Sequence, residues 1–327
     1  MRLKSAKNRS RWLCGIWCAA AVLGMLQWMN AENVNVSSGR GKHFAVSNGI
    51  RTTTGKRAAV FPDLILPDLP GVLPSRYSSV DCGRKPTVKN QGSYGTCWAF
   101  AATSALESAL MPEEQLQFSV DHMSMSNSFN VNQYDGGEYT MGMAYLAAWQ
   151  GPVYDADDPY GDGVTKSGLT AVKHVQEIRI IDGKDYQGIK EAVFKYGGVQ
   201  TSLYSTITSS KTKTPYYNRQ TNAYCYMGSE KPNHDVVIIG WDDNYPKENF
   251  NVDLEGDGAF ICQNSWGSQF GEDGVFYVSY YDTNVGTHNV VYTDVEDTDN
   301  YDNIYQSDLC GWVGKMGYDK EDMYGAN

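Results

Sequence analysis

Histidine is scarce in this chain: five residues out of 327, at positions 43, 122, 174, 234 and 288. Chemistry that needs an imidazole must draw on that short set. Basic residues are also thin beyond the N-terminal stretch. Residues 61–327 carry 17 Lys/Arg against 37 Asp/Glu. A body that acidic repels a phosphate backbone, so nucleic acid is not an expected partner. Only one apolar run is long enough to discuss as a membrane segment, which excludes a polytopic membrane protein. Low complexity is missing too. With 41% hydrophobic residues and 23 tyrosines, the composition excludes wholesale disorder and a collagen-like fibre.

What is present begins with a basic end. Arg2, Lys4, Lys7, Arg9 and Arg11 precede an 18-residue apolar run, Trp12 to Met29. That is the layout of an export signal, with the positive end held in the cytoplasm and the rest of the chain sent across. Residues 1–31 therefore read as a signal peptide or an N-terminal anchor. The small-residue triplet Ala19-Ala20-Ala21 lies inside the apolar run, and Met29-Asn30-Ala31 is better placed but a poor match to a cleavage site. Since 18 residues can just span a bilayer, cleavage and anchoring both remain open. Either way the expected location is secreted or on the extracellular side, with membrane contact only through this segment. Residues 32–72 are polar and then proline-rich (Pro62, Pro67, Pro70), and read as a linker or short pro-segment. The folded domain is expected to begin near Leu73.

Cys14 and Cys18 fall in the export segment, leaving Cys82, Cys97, Cys225, Cys262 and Cys310. An odd number in an exported protein leaves at least one thiol unpaired or bridged between chains. Cys97 is the distinctive one. A glycine-containing loop, Asn90-Gln91-Gly92-Ser93-Tyr94-Gly95, ends at Thr96, a good N-cap residue. The following CWAFAATSALESAL, Cys97 to Leu110, is apolar almost all round, which predicts a buried helix starting at the cysteine. A thiol on a first helical turn is expected to have its pKa lowered by the helix dipole. A thiolate nucleophile needs a base, and His234 sits at the start of a buried apolar run, Val236 to Ile239. A third element, Gln263-Asn264-Ser265-Trp266-Gly267, follows a short strand. The Asn264 amide can accept an imidazole proton and hold the ring toward sulfur, and the Trp266 indole can keep water off that bond.

Taken together, Val88-Lys89-Asn90-Gln91-Gly92, Gly95-Thr96-Cys97-Trp98-Ala99-Phe100, Asn233-His234-Asp235 and Gln263-Asn264-Ser265-Trp266-Gly267 resemble the papain family of cysteine peptidases. His234 and Asn264 lie 137 and 167 residues after Cys97, against a family expectation of ~130–150. The excess is a polar stretch, Asp242 to Gly258, between two strands. The resemblance covers about residues 73–290. It implies an α+β, papain-like fold of two lobes with the active site in the cleft between them. The helical lobe would span about 90–195, with helices at Cys97, at 139–149 and at 186–196. The other would be an antiparallel, barrel-like sheet with strands near 199–204, 235–241, 259–263 and 275–280.

By the same resemblance Cys97 is the nucleophile, His234 the base and then acid, and Asn264 the orienter. Gln91 supplies the oxyanion-hole amide. Gly136 and Gly137 hydrogen-bond an extended substrate backbone, and Trp266 shields the His–Asn pair and lines the leaving-group side. The expected partner is a peptide or protein substrate, with no metal and no cofactor. A short calcium-like run, Asp253 to Gly258, lacks the twelfth-position Glu and is set aside.

Three departures follow. Tyr94 stands where many relatives have a disulfide cysteine. Phe270 stands where many have a second Trp, which predicts a looser wall. The pre-domain segment is too short for a helical inhibitory pro-domain. Four cysteines outside the nucleophile allow three connectivities. Residues 291–327 form an acidic, Tyr- and Asn-rich tail resembling the junction to a lectin-like domain in some bacterial exported relatives, apparently truncated here, which adds an expectation of cell-surface association. The competing functions are a catalytically silent surface protein on the same scaffold and an acyl transferase using the same intermediate.

Overall fold

The computed structural model describes residues 72–129, 131–207 and 213–305. The export segment, residues 32–71 of the linker, and residues 306–327 of the tail with Cys310 lie outside them. Among the described residues no helix is long and apolar enough to cross a membrane.

The element that organises the rest is the strand β6, His234–Asp242, buried at every position except its last residue. A strand covered on both faces reads as a continuous apolar run, as Val236 to Ile239 does. Its alternate side chains go to different places. Val237 and Ile239 join a cluster built on the helix α1, Cys97–Leu110, with Trp98, Leu106, Tyr145 and Tyr292. Val236 and Ile238 join a second cluster with Trp241, Phe260, Phe270 and Phe276. One strand therefore glues the helical part to the sheet part.

Among the described residues the sheet has nine strands. In chain order these are β1 (Arg76–Ser78), β2 (His174–Ile181), β3 (Val199–Leu203), β4 (Tyr217–Asn218), β5 (Ala223–Tyr224), β6, β7 (Ala259–Gln263), β8 (Val275–Ser279) and β9 (Asn289–Glu296). Their order across the sheet is β2-β9-β3-β6-β7-β8-β5-β4, with β1 pairing to the end of β6. All pairs are antiparallel except β5 with β8. The remaining helices are α2 (Val120–Met125), α3 (Tyr139–Ala147) and α4 (Tyr186–Lys195). The architecture is α+β, as the sequence indicates.

Helix α1 begins at Cys97 and ends at Leu110, the limits read from its composition. Thr96 does not cap it through its side chain; the hydroxyl instead meets the Tyr160 hydroxyl at 2.7 Å. Strand β9 runs across the 290/291 boundary drawn from composition and pairs with both β2 and β3. Its acidic residues, Asp294 and Glu296, come at the end of the strand, where it leaves cover. Cys82, Cys225 and Cys262 are all unpaired, as is Cys97, so none of the anticipated bridges forms among them. Cys225 and Cys262 are each buried in a different apolar cluster. Phe270 is 1% exposed and packs against Trp266, Tyr217 and Phe276, so the wall expected to be loose is tight.

Candidate active site

The site forms where α1 begins against the start of β6. Cys97 is half-buried at the helix N-terminus. Asp235, which immediately follows His234, acts on the thiol through its charge, and Gln200 links its carboxylate to the carbonyl of Trp98, next to Cys97. His234 is buried, and its Nε2 lies 2.9 Å from Asn264 Oδ1. The Ser265 N–H donates to the same Oδ1 at 2.8 Å. An amide nitrogen could not accept either bond, so the orientation of Asn264 is fixed. Nε2 then carries the hydrogen, and Nδ1 is left as the basic nitrogen. Trp266 stacks on the imidazole with ring centroids 4.7 Å apart.

The loop before α1 is laced to the Asn264 segment. Gln91 N–H donates to Ser265 O at 2.8 Å, and Asn90 bridges to Trp266. The Gln91 side chain accepts from Ser265 Oγ at 2.7 Å and donates from Nε2 to Tyr94 O at 2.8 Å. These two bonds set the amide orientation and leave one Nε2 hydrogen uncommitted. Gly136 and Gly137 lie beside the same helix start. Gly136 has φ +82°, and a Cβ on Gly137 would collide with the Trp98 indole. Tyr94, at the position of the missing disulfide cysteine, packs its ring on Tyr134 with centroids 4.8 Å apart. All seven residues singled out from the sequence thus border one region.

The thiol pKa differs from the sequence expectation. Burial is the largest influence and pushes Cys97 up to about 12, with the Asp235 carboxylate adding to the rise and nearby backbone N–H groups opposing it. Burial likewise pulls His234 down to about 4, partly offset by its bond to Asn264. Both shifts penalise a lone charge. A proton passed from sulfur to imidazole creates two opposite charges together, and their attraction offsets much of that cost.

Sequence reasoning missed the polar residues behind the pair. Asp235 is buried and accepts from Ser202 Oγ at 2.7 Å and Gln200 Nε2 at 2.9 Å. A carboxylate inside an otherwise apolar strand was the available signal. Ser265, which fixes Gln91, gave none. Among the described residues no cluster of His, Cys, Asp and Glu is arranged to hold a metal ion.

A family model described as papain family cysteine protease matches residues 74–295. Pro-cathepsin H of Mus musculus is 29% identical over 211 residues, covering 62% of this chain and 60% of that protein. The solved structure of the clostridial cysteine protease Cwp84 after propeptide cleavage superposes with a TM-score of 0.66 at 28% identity, covering 73% of this chain and 62% of that one. A second structure holds the cysteine protease and lectin-like domains of Cwp84, a surface layer associated protein of Clostridium difficile. Its TM-score is 0.63 at 28% identity, covering 69% of this chain and 53% of that one. The chain spans roughly three fifths or less of the length of these relatives.

Proposed function

The chain belongs to the papain family of cysteine proteases, and we propose that it hydrolyses peptide bonds of extended polypeptides outside the cytoplasmic membrane, through an acyl-enzyme on Cys97. The observation that carries this reading is the arrangement of His234 between Asn264 and Trp266, on a strand that Gln200 ties to the residue following Cys97.

In this mechanism the substrate chain lies along Gly136 and Gly137, whose lack of side chains permits close backbone approach. His234 Nδ1 takes the thiol proton, and the thiolate attacks the scissile carbonyl carbon. The carbonyl oxygen becomes an oxyanion held by the free Nε2 hydrogen of Gln91 and the Cys97 N–H. The C–N bond breaks as His234 returns the proton to the departing amine. A water then loses a proton to His234 and attacks the thioester. Collapse of the second oxyanion expels the Cys97 sulfur, which recovers its proton and releases the carboxylic acid.

Export is supported by the basic residues ahead of the apolar run at Trp12 to Met29. Association with a cell surface is supported by the likeness to a surface layer associated protein. The test is hydrolysis of a peptide library by wild type and Cys97→Ala, with product analysis. Full hydrolysis by Cys97→Ala sinks the reading. Capture of the acyl group by an added amine in place of water would redirect it to acyl transfer.

A further inference from the structure

Behind the thiol and imidazole one side chain joins α1, β6 and β9. Gln200, buried on β3, donates from Nε2 to Trp98 O at 3.2 Å and to Asp235 Oδ2 at 2.9 Å. Its Oε1 accepts from the Tyr292 hydroxyl on β9 at 3.1 Å. Trp98 follows Cys97 in the chain, and Asp235 follows His234. The Gln200 amide therefore spans from the peptide next to the nucleophile to the carboxylate next to the base, with a third anchor that fixes which way it points.

The carboxylate in this node is unusual. Asp235 is 7% exposed, and among the described residues no Lys or Arg lies within ion-pair distance of it. An unpaired buried carboxylate is unfavourable, so its hydrogen bonds to Ser202 and Gln200 offset the cost only in part. The groups that face it are Cys97 from α1, Gln200 and Ser202 from β3, and Tyr292 from β9. Glu138 and Tyr139 at the start of α3 also face it, as does His288 through Ser202. Its charge acts directly on the sulfur.

We propose that Gln200 and Asp235 are positioning residues for the Cys97–His234 pair: Gln200 fixes the helix of the nucleophile to the strand of the base, and the Asp235 carboxylate opposes thiolate formation. The inference rests on the peptidase reading above. The Asp235 carboxylate lies one shared amide away from the carbonyl of Trp98, next to the nucleophile, and repels the negative charge that would form on the sulfur. Nucleophile formation is thus coupled to the protonation of a group that never touches the substrate. Burial raises Asp235 to about 6, so the opposition relaxes as pH falls through that value.

The test uses the full chain and an epoxide-type thiol reagent, with the Cys97 adduct read by peptide mapping because Cys82 is exposed. Its rate is followed against pH for wild type, Asp235→Asn and Asp235→Ser; the second variant covers a failure of the first to fold. Removing a like charge at this range should move the midpoint of the Cys97 alkylation profile to lower pH by about one unit. Gln200→Met keeps side-chain length but has no hydrogen bonds. It should lower kcat roughly tenfold with KM within about twofold, the signature of a displaced pair rather than lost substrate binding. Asp235 profiles that coincide with wild type or move upward overturn the proposal. A Gln200→Met kcat within twofold of wild type overturns it as well. A wild-type Cys97 that never alkylates would instead bring down the peptidase reading itself.

Discussion

Trp266 lies against His234 with ring centroids 4.7 Å apart and planes 24° from parallel, while its indole meets Phe270 at 88°. The stack covers the face of an imidazole whose Nε2 is committed to Asn264. Water is kept from that hydrogen bond, which makes it worth more than an exposed one. Because Phe270 is itself packed by Tyr217 and Phe276, the indole has little freedom to swing away.

Trp266→Ala should expose the His234–Asn264 bond and free the ring to rotate. The expected result is a fall in kcat of roughly tenfold, about 1.4 kcal/mol, with the folded state retained. Steady-state kinetics beside a thermal melt would check it. An unchanged kcat would mean the indole only fills space.

Gln91→Ala removes the uncommitted amide hydrogen that the proposed mechanism assigns to the oxyanion, and should lower kcat by about 10²–10³ with little change in KM. Ser265→Ala tests the support of that amide. It leaves the Gln91 bond to Tyr94 O intact and frees Oε1, so its loss should be much smaller.

His234 and Asp235 give opposite signatures of stability against pH. His234 is depressed to about 4 from an ordinary value near 6.5, so the unfolded chain binds the proton first. Its contribution is complete above about 6.5 and is lost as pH falls toward 4. Asp235 is raised to about 6 from 3.8, so the folded chain holds the proton longer. Its burden is absent below about 4 and grows as pH rises through 6. Denaturant midpoints should show His234→Ala losing the acid-side fall between pH 6.5 and 4. Asp235→Asn should gain on wild type at pH 7.5 relative to pH 4. A constant offset at all pH values would contradict both assignments.

Gly137→Ala places a Cβ into the Trp98 indole beside the nucleophile. Overpacking of this kind typically costs about 1–3 kcal/mol, and here it would also displace the first turn of α1. A lowered unfolding midpoint together with slower Cys97 alkylation is expected. Either change alone would separate packing from positioning.

Local signals explain how much of this was legible in sequence. The limits of α1 followed from the glycine loop, the cysteine and the unbroken apolar composition to Leu110. Strands β6 and β7 showed as short apolar runs, and β3 and β8 were expected only through the family resemblance. Strands β2 and β9 did not, because His174–Ile181 and Asn289–Glu296 mix charges with apolar residues and are recognisable only when paired with each other. Cys97, His234, Asn264 and Gln91 carried motif context within a few residues. The Gln200–Asp235 contact joins residues 35 apart in sequence, and it exists only through the register of β3 on β6, where Ser202 faces Asp235. Register depends on tertiary packing, so no local pattern encodes it. The thiol pKa was misjudged for a related reason. The helix N-terminus is visible in sequence, whereas the desolvation that outweighs it is a property of the closed site.

The account rests on Cys97 being a nucleophile activated by His234. The direct measurement is intact-mass analysis after an epoxide-type thiol reagent on wild type, Cys97→Ser and His234→Ala, with adducts mapped to residues. One adduct on wild-type Cys97, none at that position in Cys97→Ser, and a slowed reaction in His234→Ala is the predicted result. A folded wild type that forms no adduct at Cys97, or a His234→Ala protein that reacts at the wild-type rate, would contradict it.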